Sequence, residues 1–139
     1  MSELNKKIYN EITRLCKLGD YEAEGEYYDD ALKYYYDALE LVPLPKTDWE
    51  ASTWIYVAIG DALYLKGEYE KSQDNMFEAL KCPDGIGNPF INLRIGECFY
   101  ELGNKPKAKE YLIQAYMMAG KDIFETQKPE YFDVISHLV

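Results

Sequence analysis

Apolar residues recur three and four positions apart along almost the whole chain, and nowhere do they alternate one for one. Leu4, Ile8, Ile12, Leu15 and Leu18 form the first such stripe and predict a helix from about residue 3 to 23. Gly25 and Glu26 mark a turn. Tyr28, Leu32, Tyr35, Leu39 and Val42 carry a second stripe, which Pro43 and Pro45 end. After a connector at 44–47, Thr47 and Glu50 stand at the spacing of a capping box and predict the start of a third helix that runs to about Lys66. A fourth helix is predicted over roughly Tyr69 to Lys81. The segment Pro83 to Gly87 can only be a loop, and Asn88-Pro89 supplies an N-cap and a first-turn proline for the fifth helix. Gly103 to Pro106 breaks that helix, and a sixth continues through Met118 until Gly120 stops it. Residues 121–127 have partly helical character. Pro129 opens a last short helix on which Tyr131, Phe132, Ile135 and Leu138 share a face. The expected fold class is all-α.

The stripes repeat in register. Gly19, Gly60 and Gly96 are each followed by an acid: Asp20, Asp61 and Glu97. Twelve positions after each glycine comes Ala31, Ser72 or Ala108, and seven beyond that Ala38, Ala79 or Ala115. The first interval between glycines is 41 residues and the second 36, so the extra residues fall in the connectors after the second and fourth helices. A glycine inside a helix costs about 1 kcal/mol relative to alanine. Three at equivalent positions point to one packing need, the close approach of a neighbouring helix.

These residues resemble the tetratricopeptide repeat (TPR) family, whose unit is a helix-turn-helix of about 34 residues. The middle unit carries the fullest match: Tyr56, Ile59-Gly60, Leu63, Gly67, Tyr69, Ser72, Phe77, Ala79 and Pro83. The third keeps Ile95-Gly96, Phe99, Gly103, Ala108 and Ala115, with Lys105 in place of the usual tyrosine. The first keeps Leu18-Gly19, Tyr28, Ala31, Tyr35, Ala38 and Pro43, with its turn glycine displaced to Gly25. The resemblance implies one domain over 1–139, made of three units stacked in a right-handed superhelix. The units would span about 3–43, 48–82 and 88–119, with a C-terminal cap at about 121–139. No hairpin of this kind buries its apolar face alone, so stacking is obligatory.

Charge narrows the partner. The chain has 25 acidic against 15 basic residues, a net charge of −10. Nucleic acid and anionic membranes, which require clustered lysine and arginine, are unsuited to it. A basic protein is the natural complement. Lys6 and Lys7 lead into polar residues rather than a signal-peptide core, so a cytoplasmic protein is expected. Cys16, Cys82 and Cys98 have no metal or disulfide spacing, and Cys98 falls where a buried thiol would pack. His137 is the only histidine, placed in the terminal helix where a surface or capping role is expected. With no nucleophile–base pair, phosphate loop or ligand cluster, neither an enzyme nor a cofactor or metal is expected.

In TPR proteins the first helix of each unit lines a concave groove. Carried over residue by residue, those positions are Thr13, Cys16, Asp20, Ala23 and Glu24; Trp54, Val57, Asp61, Tyr64 and Leu65; and Phe90, Leu93, Glu97, Tyr100 and Glu101. None is lysine or arginine. Asp20, Glu24, Trp54, Asp61, Tyr64, Phe90, Glu97, Tyr100 and Glu101 are the expected partner-binding set. Its aromatics would act as rigid anchors and its acids as a row for a partner's cations. Cys16, Val57 and Leu93 stand where TPR domains that clamp chaperone C-terminal carboxylates carry lysines, so that partner class is not expected. The six acids from Asp20 to Asp30 have the charge to imitate nucleic acid, but a solvated turn and helix start is the expected reading. Small acidic TPR proteins of this form resemble bacterial immunity proteins, which neutralise a cognate toxin domain. The alternative that the resemblance implies is a secretion chaperone or regulatory adaptor.

Overall fold

The computed structural model describes residues 4–139, and among them it has seven α-helices and no strand. The expected beginning of the first helix at residue 3 lies outside the described residues. Helix α1 (Lys6–Glu24) opens where the Asn5 side chain accepts from the Lys7 N–H at 2.8 Å. It is followed by α2 (Tyr28–Leu41), α3 (Glu50–Lys66), α4 (Tyr69–Leu80), α5 (Pro89–Glu101), α6 (Lys105–Ala119) and the short α7 (Pro129–Asp133). The Asn88 side chain caps α5 by accepting from the Phe90 N–H at 3.0 Å, with Pro89 in the first turn, as the sequence predicts.

Three local readings are corrected. Thr47 does not begin the third helix: it lies in a single 3₁₀ turn, Lys46–Asp48, and α3 starts at Glu50 after Trp49 without a side-chain cap. The cause is Lys46, whose Nζ donates to Leu39 O at 2.8 Å and Val42 O at 2.9 Å. The connector is thereby tied to the end of α2. The first turn differs too. Gly67 and Gly103 take the left-handed conformation after α3 and near the end of α5, and the equivalent position after α1 is Glu26 at φ 66°, not Gly25. Finally, Leu138 does not share the packed face of the last segment. Its helix ends at Asp133, and Leu138 follows in a separate 3₁₀ turn, half exposed.

The helices pair as α1 with α2, α3 with α4, and α5 with α6, while α2–α3 and α4–α5 join successive pairs. Helix α3 also touches both α1 and α5, so the three first helices lie on one side. The glycine register explains the pairing. A Cβ on Gly19 would stand 2.5 Å from the Tyr35 ring, one on Gly60 2.8 Å from Met76, and one on Gly96 2.8 Å from Leu112. Those three side chains lie four residues after Ala31, Ser72 and Ala108, so one contact is repeated three times. The small residues at 31, 38, 72, 79, 108 and 115 are all fully buried. In the middle pair Ser72 adds a hydrogen bond, its Oγ donating to Gly60 O at 2.6 Å.

Beyond α6 the chain turns back. A 3₁₀ turn at Lys121–Phe124 and helix α7 bring Phe124, Tyr131 and Ile135 into one buried cluster with Leu93, Ala108, Leu112 and Ala115. This C-terminal segment covers the end of the stack, and it also reaches the groove side, where Tyr64 of α3 joins the same cluster.

A half-open concave groove

Each packing glycine faces the second helix of its own pair, and the residue after it is turned about 100° around the helix, toward the side shared by α1, α3 and α5. Asp20 and Asp61 reach this surface. Asp20 is exposed and accepts a hydrogen bond from the Tyr35 hydroxyl at 2.7 Å. Together with Glu24, Trp54 and Phe90 they line an open groove of about 540 Å³. Ala23, Val57, Ala58 and Leu65 supply apolar surface between them. No lysine or arginine is among the residues that line it. Trp54 stands at the rim, 37% exposed, with its ring edge-on to Tyr9 at 6.0 Å. Five of the nine expected partner-binding residues therefore meet in one open concavity.

The other four are held by the chain itself. Glu97 is fully buried, and its Oε1 lies 2.6 Å from Nη1 of Arg94, so the expected row of three free carboxylates is not formed. Arg94 also ion-pairs with Asp61 and donates to Gln127 Oε1 at 3.2 Å. Its guanidinium carbon sits 3.9 Å from the Tyr64 ring centre and 4.8 Å from that of Phe90. Planar cations favour that position over an aromatic face. Tyr131 of α7 donates to Glu101 Oε2 at 2.5 Å, and the Tyr64 and Tyr131 hydroxyl oxygens are also 2.5 Å apart. Tyr131 has one proton and a carboxylate has none, so Tyr64 is the donor of that second bond. Lys128 stands 3.4 Å from the same Glu101 oxygen, and Tyr100 packs edge-on against Tyr131 at 5.4 Å.

Burial dominates the electrostatics at this closed end. It pushes the Glu97 carboxyl up to about 7; Arg94 pulls against it, while Asp61 and Glu101 push the same way. The Glu97 Oε2 and Arg94 Nε atoms are buried without a hydrogen-bond partner among the described residues. For Arg94, burial works against the charge, but Glu97 and Asp61 outweigh it and the guanidinium is held above its ordinary value. One buried cation thus serves two acids.

Two groups here were missed from the sequence. Arg94 stands 36 positions after Ala58, in the register of a residue that lines the groove, and that register was the available signal. Gln127 gave none. Elsewhere Cys98 is fully buried, as expected, and burial lifts its thiol to about 11. His137 is exposed in the last turn. Among the described residues no cluster of three or more histidines, cysteines or acids could hold a metal ion, and no helix is long and apolar enough to cross a membrane. The arrangement offers shape, aromatic area and negative charge, all of them means of binding.

No family model and no curated protein matches the sequence. Solved structures do match the fold. Yersinia enterocolitica SycD, a type III secretion chaperone in complex with a peptide of the translocator YopD, aligns at a TM-score of 0.75 with 17% identity, over 96% of this chain and 95% of that one. PcrH of Pseudomonas aeruginosa, in complex with the chaperone-binding region of PopB, aligns at 0.68 with 17% identity, over 99% and 96%. The TPR domain of Arabidopsis OM64 aligns at 0.70 with 15% identity, over 91% and 92%. At such identities the likeness is one of fold: the chain is TPR-like, built of stacked helix-turn-helix units with a C-terminal helix.

Proposed function

We propose that this chain is a protein-binding module of chaperone type, which acts in the cytoplasm and holds an extended segment of a client protein in the open part of its groove. The observation that carries this reading is the concavity between α1 and α3, walled by Trp54 and Phe90, floored by Val57, Ala58 and Leu65, and free of basic side chains. An apolar floor with aromatic rims suits a peptide whose side chains alternate between floor and solvent. The exposed acids and the net charge of −10 favour a basic segment. SycD, which shares the fold, has been seen with a peptide of the translocator YopD, and PcrH with the chaperone-binding region of PopB. These neighbours support the secretion-chaperone or adaptor reading and lend no support to toxin neutralisation.

A photo-crosslinking residue at Val57 tests this in cells that contain the client. Crosslinking to one discrete protein is expected from position 57, and none from Gln114 on the exposed face of α6. Combined Trp54→Ala and Leu65→Glu substitutions should abolish the product. Equal capture from 57 and 114, or capture that survives those substitutions, would overturn the proposal.

A further inference from the structure

The two ends of the groove differ, and the chain itself makes the difference. At the α5 end every acid has an internal partner: Asp61 and Glu97 pair with Arg94, and Glu101 with Tyr131 and Lys128. Arg94 is itself held between the rings of Tyr64 and Phe90 and is almost entirely inaccessible. At the α1 end, Asp20 and Glu24 lie one helical turn apart, both exposed; Asp20 accepts from the neutral Tyr35 hydroxyl, but among the described residues no lysine or arginine ion-pairs with either. Between the two ends lie Val57 and the half-exposed Leu65, with Trp54 at the rim. The concavity thus passes from open acids, over apolar surface, to an acid site already filled by the chain's own arginine.

Resting on the groove reading above, we propose that this gradient sets the placement of the partner. A lysine or arginine of the partner seats at Asp20 and Glu24, an apolar side chain two residues away packs on Val57 and Leu65, and the bound segment ends at Phe90. The spacing follows from geometry. Neighbouring helix axes stand about 8–10 Å apart. An extended chain rises about 3.3 Å per residue with alternate side chains on one face. One helix spacing therefore spans about two to three residues, and the same-face requirement selects two. Two spacings, α1 to α5, accommodate roughly six residues. The stop at Phe90 has an electrostatic cause: a second cation would find its carboxylates taken by Arg94, and would meet that guanidinium besides.

The probe is a blocked hexapeptide with lysine at its second position and leucine at its fourth, in a serine and alanine background. A second version replaces the lysine by glutamate, and a third adds a lysine at the sixth position. Binding is followed by amide chemical shifts of the full chain. The expected results are an affinity at least tenfold higher for the lysine peptide than for the glutamate peptide, and reversal of that preference in Asp20→Lys/Glu24→Lys. The third peptide should gain less than twofold over the first with the native chain, and at least fivefold with Arg94→Gln. A nitroxide beside the peptide lysine should broaden the Ala23 amide more strongly than that of Asn88. If the double substitution does not fold, Glu24→Lys alone serves, since that side chain is exposed and should reduce the preference at least threefold.

A charge preference that survives these substitutions, broadening at Asn88 at least as strong as at Ala23, or no peptide binding at all would overturn the proposed placement. If Val57 still crosslinks a client in that event, the groove reading stands and only the placement falls. If Val57 captures nothing either, both fall.

Discussion

Replacing Glu97 by glutamine should change how stability depends on pH, in a direction the burial of this side chain fixes. Glu97 is fully buried, and its carboxyl is pushed from an ordinary 4.5 up to about 7. In the unfolded chain it releases its proton near 4.5, whereas the folded protein keeps it to about 7. Between those values the folded state binds more protons than the unfolded one, so stability falls as pH rises through the window and levels off above it. At 1.36 kcal/mol per unit, the full span corresponds to at most about 3 kcal/mol. The surface acids Glu11, Asp29 and Glu68 are held low by hydrogen bonds from Arg14 and Lys66, so they act in the opposite sense and below this window. Urea denaturation at pH 5, 6, 7 and 8 measures the effect. The native chain should lose stability from pH 5 to 7, and Glu97→Gln, which preserves the shape of the side chain, should be nearly flat. Parallel curves for the two proteins, or a native stability that rises across the window, would refute the assignment.

Other perturbations test the fold at single points. Glu26→Gly relieves a left-handed residue that has glycine at both equivalent turns, and should raise stability by about 1 kcal/mol in thermal melts. Gly96→Ala places a methyl group 2.8 Å from the Leu112 side chain and 3.1 Å from its backbone nitrogen. Crowding of that kind costs about 1–3 kcal/mol, more than the helix propensity that alanine regains, and a lowered denaturation midpoint is the expected result. Tyr131→Phe removes the bonds to Tyr64 and Glu101, which should cost about 1–3 kcal/mol and speed amide exchange in residues 121–139 ahead of the rest of the chain.

The fold was legible because its determinants are local and repeated. A glycine twelve positions before a small residue encodes one helix contact, and three copies encode a stack. Where a long-range contact decided the outcome, legibility failed. Thr47 and Glu50 have the spacing of a capping box, but Lys46 reaches back to the α2 carbonyls and delays the helix. Repeat register placed Glu97 on the groove side, yet register carries no information about what covers a position. Arg94 from the same helix and the returning C-terminal segment cover this one. Asp20, Glu24, Trp54 and Phe90 line the open groove because no other described segment folds back over α1 and the start of α5.

Trp54 brings a practical consequence. The chain has two tryptophans, and the other, Trp49, packs at the edge of the first core with its indole nitrogen buried. With Trp49 changed to phenylalanine, all indole emission would come from a ring at the mouth of the groove, edge-on to Tyr9. Such a protein is its own sensor. Arrival of a ligand would register as a spectral shift without any attached dye, in stopped-flow as readily as at equilibrium, and the rate and occupancy of capture could be followed in a single cuvette.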